Sequence, residues 1–165
     1  MNRREFILAA SAAVAFTAAS APAHAECGGE TATNFVEALY QKQARLQAEQ
    51  TPPGAQEFEA LFSRSMRKLM RTSRRYRKNA PLGPVLNAFF GWGILPGTEV
   101  TIQKVTFVDG DDAGPATIRV TTEHHGQPHD ILVRVASENN AYRIADISYD
   151  SGPSLAGHYR AMTGR

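Results

Sequence analysis

The hydrophobic pattern predicts two amphipathic helices followed by a run of alternating strands. Phe35, Val36, Leu39, Tyr40 and Leu46 recur at helical spacing, so a helix capped by Thr31 or Thr33 runs to about Glu49. Thr51-Pro52-Pro53-Gly54 ends it. Phe58, Leu61, Phe62, Met66, Leu69 and Met70 form the stripe of a second helix, expected from about Ala55 to Tyr76 without a break. Neither helix is stable alone in water, so each needs a cover over its stripe. Beyond Asn79, prolines and glycines interrupt the apolar stretch Val85 to Leu95, which reads as a short helix and an ordered loop packed over the core.

From Thr98 the period becomes two. Val100 to Phe107 is one strand, with a bulge expected near Lys104 where the alternation changes face. Asp109-Gly110-Asp111-Asp112 is a turn. Ala116, Ile118 and Val120 mark a second strand, and Ile131, Val133 and Val135 a third, with a turn at Gly126 between them. Glu138-Asn139-Asn140 turns into Tyr142 to Ile147, and a short helix starts at Ser154. Helices first and a four-strand meander afterwards predict an α+β domain with an antiparallel sheet. Packing the helices on the apolar face satisfies both. A sheet curled around them is a cone, whose open end suits a small ligand.

The first residues belong to a different logic. Arg3 and Arg4 precede Phe6-Ile7-Leu8, an Ala/Ser-diluted apolar run follows, and Ala23-His24-Ala25 is a small-x-small cleavage site. Residues 1–25 therefore read as a signal peptide of the twin-arginine (Tat) type, addressed to the Tat export machinery. The expected location is periplasmic or secreted, with one domain over residues 26–165. Removing the leader leaves 16 basic and 15 acidic residues. That balance does not imply nucleic acid, and no nucleic-acid partner is expected. The only cysteine is Cys27, in a glycine-rich terminal stretch, so no disulfide within the chain is expected. No cofactor motif is present, and none is expected.

Candidate chemistry is sparse. His124, His125 and His129, with Asp130, form the densest donor cluster and the weak candidate for a metal. Adjacent His124 and His125 point to opposite faces, so a polar hairpin tip is favoured and no metal is expected. Asp146 on the last strand is the weak catalytic candidate, a general base if it faces the cone. If Ile144 is inward, period two puts Asp146 on the same face. A structural bond from Ser154 or a helix terminus is the favoured role, because no anion-stabilising partner is evident. Arg64, Arg67, Lys68, Arg71 and Arg75 recur opposite the apolar stripe, with Arg74, Arg77 and Lys78 beyond. They read as a solvated face or as a docking surface for lipid headgroups, with peripheral membrane contact, or for an acidic partner. Phe89, Phe90 and Trp92 read equally as a ligand mouth or as a core lid.

The closing phrase Tyr142-Arg143-Ile144-Ala145-Asp146-Ile147, then Gly152-Pro153-Ser154-Leu155 and Tyr159-Arg160, carries a resemblance. With Phe58-x-x-Leu61-Phe62-Ser63 and the Pro/Gly-rich bridge, it resembles an uncharacterised family of exported bacterial proteins, a domain of unknown function. A nuclear-transport-factor-like (cystatin-like) cone is ascribed to that family. The phrase is also similar to the MlaC, or toluene-tolerance, periplasmic phospholipid carriers over roughly the last forty residues, a likeness that transfers fold better than function. With a cavity expected and no assembled catalytic set, a non-catalytic envelope binding protein is expected, and the carrier-like tail with the basic helix points to a hydrophobic or lipid-like small ligand or a protein partner. The alternative is a cone enzyme of isomerase or dehydratase type using Asp146.

Overall fold

The computed structural model describes residues 31–76 and 86–164. Arg3, Arg4, Ala23 and Ala25 of the expected leader, and also Cys27, Arg77 and Lys78, lie outside the described residues. The chain is an α+β domain in which three helices, a small hairpin and a four-stranded sheet follow in that order, with a short helix at the end.

Helix α1 (Ala32–Ala48) starts where the Thr31 side chain accepts from the Asn34 N–H at 3.2 Å. Thr33 has another task. Its N–H and Oγ1 both donate to Asp112 Oδ1 at 2.8 Å, and Ala32 N–H donates to the Asp112 carbonyl. A carboxylate at the first turn of a helix satisfies free N–H groups and complements the dipole. Asp112 thus ties α1 to a turn of the sheet.

The second helix is not continuous. It divides into α2 (Ala55–Ala60) and α3 (Arg64–Tyr76), with Leu61, still in the helical region as the C-cap of α2, and Phe62-Ser63 between them. Phe62 bridges Ile144 in parallel: Ile144 N–H donates to the Leu61 carbonyl at 2.9 Å, and Ser63 N–H donates to the Ile144 carbonyl at 2.8 Å. The expectation of one helix fails because a sheet edge offers these backbone groups partners as good as those of a helical turn. The break is capped on its far side, where both Glu138 carboxylate oxygens accept from Arg64 N–H at 3.0 Å. The apolar spacing survives the break, since Phe62, Met66 and Met70 are all buried.

The short helix expected before Leu95 is also absent. Leu86–Asn87 (β1) and Gly91–Trp92 (β2) pair instead as an antiparallel hairpin. Asn87 Oδ1 accepts from the N–H groups of Phe89 and Phe90, closing the turn with a side chain rather than with helical bonds. Gly91 has φ +98, and a Cβ there would meet the Tyr149 ring at 3.2 Å. Only glycine fits.

The sheet runs β3 (Thr101–Gly110), β4 (Ala116–His124), β5 (Gln127–Glu138), β6 (Ala141–Tyr149), each antiparallel to the next. The bulge expected near Lys104 falls between Ile102 and Lys104, and a second follows between Phe107 and Asp109. Asn139 and Asn140 turn β5 into β6 with φ 51 and 60, the paired positive values of a tight hairpin turn. Ile118, Val120, Val133, Val135, Ile144 and Ile147 are buried on one face. Helix α1 lies on β3 and β4, while α3 and the closing helix α4 (Leu155–Ala161) lie against β6. Ser154 caps α4 by accepting from Gly157 N–H at 3.1 Å.

Candidate functional site

A register shift decides the face of Asp146. Val135 pairs with Ile144 and Arg134 with Asp146, so Ala145 is the extra residue of a bulge in β6. Directly opposed residues share a face, and Arg134 is exposed where Val133 and Val135 are buried. Asp146 therefore does not share the face of Ile144, as strict period two required. Its carboxylate lies over the start of α4. Oδ1 accepts from the N–H groups of Ile147 and Ala156 at 2.9 Å, and Oδ2 accepts from Ser154 Oγ at 3.0 Å. The Arg134 guanidinium stands 3.6 Å away. Three donors and a cation make a helix anchor, and the bond from Ser154 is the one the sequence suggested.

The histidines do meet. His124 and His129 lie on one side of the β4–β5 end with ring centroids 3.9 Å apart, and His129 Nδ1 is 2.7 Å from Asp150 Oδ2. His125, in the turn at φ 51, keeps its ring 5.7 Å from that of His124. Burial first, then the neighbouring His129 and His125, hold the His124 imidazole below its ordinary range, with Asp150 opposing. Among the described residues no group of three or more His, Cys, Asp or Glu is arranged to hold a metal. Asp130 is turned elsewhere, accepting from Thr121 Oγ1 at 2.7 Å. Asp150 is the residue missed by sequence reasoning, since only the pairing of β5 with β6 brings it beside His129.

Of the aromatic candidates, Phe89 and Phe90 are core. Phe89 meets the rings of Phe58, Phe62 and Tyr40 at centroid distances of 5.9, 6.3 and 6.1 Å, and Phe90 meets Tyr40 at 5.8 Å. Tyr40 is fully buried, and burial raises its phenol well above the ordinary range. Trp92 is half-buried with its ring edge on His158 at 4.9 Å.

The basic helix is the feature that faces solvent. Arg64, Lys68, Arg71, Arg74 and Arg75 on α3 are exposed, whereas Arg67 is half-buried along its flank. Glu59, at the end of α2, is 3.1 Å from Arg71 and 2.6 Å from Arg74. The Arg71 hydrogen bond, ahead of the charges of Arg74 and Arg71, holds its carboxyl below the usual range against some desolvation. This clamp was not legible in the sequence, because Glu59 lies across the unforeseen break from both arginines. Among the described residues no ion pair engages Arg64, Lys68 or Arg75. Their side chains form a stripe at four- and seven-residue steps, and Tyr76, 57% exposed, ends it. No described helix is long and apolar enough to cross a membrane. No protein-family model, curated protein or solved structure matches the chain.

Proposed function

We propose that this is a non-catalytic binding protein of the cell envelope, exported by the Tat route, that docks through α3 on anionic lipid headgroups. The observation that carries the reading is the cationic stripe Arg64, Lys68 and Arg75, whose side chains are exposed and outside every ion pair among the described residues. Residues 64–78 contain eight Lys or Arg and no Asp or Glu, in a chain whose net charge is only +2. Such a concentration produces a local field that the net charge conceals. The exposed Tyr76 suits a headgroup region, where an aromatic ring with a polar tip is at home.

Sedimentation with vesicles tests it. The protein should pellet with phosphatidylglycerol vesicles and stay in solution with phosphatidylcholine vesicles. The triple variant Arg64→Glu, Lys68→Glu, Arg75→Glu should lose the binding while keeping the wild-type denaturation midpoint. Equal pelleting of the folded triple variant would remove the lipid reading. For the export step, Arg3→Lys with Arg4→Lys should retain the uncleaved precursor in the cytoplasm.

A further inference from the structure

The end of the sheet where β4 turns into β5 holds a group in an awkward state. His124 Nδ1 is out of solvent and has no hydrogen-bond partner among the described residues. A neutral imidazole can leave that nitrogen as a bare acceptor at modest cost. The charged form carries a second N–H there, and a buried donor without an acceptor is costly. The nearest ring is another imidazole, His129, and the carboxylate beyond it, Asp150, is engaged by His129. Beside the stack runs an open groove of about 700 Å³, whose lining includes His124 and His125 with Gly97, Thr98, Glu99 and Glu123. Glu123 Oε2 accepts from Gln103 Nε2 at 3.0 Å. That bond leaves its other oxygen for a further donor.

We propose that His124 is a proton-driven latch. Neutral, it stacks on His129 and closes the end of the sheet. Charged, it swings into the groove toward the carboxylates of Glu99 and Glu123. The titratable groups around it are His125 in the turn, His129 on β5, Asp150 after β6, and Glu99 and Glu123 at the groove. Two of these, His129 and His125, oppose its charge in the stacked position, and Asp150 favours it. The stacked state binds the proton more weakly than the swung state, so acidification through the imidazole range shifts the ring outward.

Nuclear Overhauser contacts of the full-length chain, followed from about pH 8 to about pH 5, test the latch. At the upper end His124 should contact His129. At the lower end these contacts should fade and new ones to Thr98 or Glu99 should appear. Amides of residues 123–127 and of His129 should lose protection by up to about tenfold per pH unit, after correction for intrinsic exchange. Glu99→Gln with Glu123→Gln should move the transition to lower pH, and His124→Gln should abolish it. Persistence of the His124–His129 contacts once His124 is charged would overturn the proposal. So would a transition unmoved by the two glutamines.

Discussion

Asp146 shows how much a single carboxylate can be asked to hold. It ties the bulged end of β6 to the first turn of α4 through Ile147 N–H, Ala156 N–H and Ser154 Oγ. Asp146→Ala removes the acceptor and strands two buried backbone donors, each costing about 1–3 kcal/mol. We expect a loss of about 2–4 kcal/mol in urea denaturation. An unchanged midpoint would contradict the anchoring role. Glu59 acts through charge instead. Its carboxyl is held below the ordinary range, first by Arg71, so the folded state binds its proton more weakly than the unfolded chain. The contribution is therefore present above the unfolded carboxylate range and is lost as pH falls through the folded value. Arg71 and Arg74 are 66% and 52% exposed, so screening keeps it small. Glu59→Gln should cost under about 1 kcal/mol at neutral pH, and the gap to wild type should close as pH falls through the folded value.

Hairpin β1–β2 yields a sign test at Gly91, which the sequence reads as one of the breaks in the apolar stretch without fixing its conformation. Within a short helix, Gly91→Ala would stabilise by about 1 kcal/mol. At φ +98 against the Tyr149 ring it should instead destabilise by at least about 1 kcal/mol in thermal or urea denaturation. The same contrast explains what was legible. Periodicity placed all four long strands, the start of α1 and the cap at Ser154, because each depends on neighbours in sequence. It failed at Leu61-Phe62-Ser63, where the competing partner is Ile144 on a distant strand. It failed again at Ala145, where one extra residue moved Asp146 away from the face of Ile144. The candidate residues divide in the same way. The cationic stripe was legible from helical spacing, whereas the Glu59 clamp and the His129–Asp150 pair arise only when strands and helices meet.

Across the whole molecule, charge is segregated far more than its total implies. Among the described residues, Glu59 engages the side chains of Arg71 and Arg74, and those of Arg64, Lys68 and Arg75 enter no ion pair. Each basic side chain near an anionic bilayer contributes about 1 kcal/mol, roughly fivefold in affinity. Lys68→Gln should therefore weaken binding to phosphatidylglycerol vesicles about fivefold. Arg71→Gln should cost less, because part of its charge is already neutralised. Glu59→Gln should act in the opposite sense, releasing two guanidinium groups and removing a negative charge from the docking side. Its affinity should rise about fivefold or more, although the fold itself is slightly weakened. Added salt should shrink all three differences, since these groups are exposed and the field is screened within about 10 Å at 0.1 M. Titration of the three variants at two salt concentrations separates this account from non-specific adhesion. A Glu59→Gln protein that binds no more tightly than wild type would show that the clamp does not govern docking.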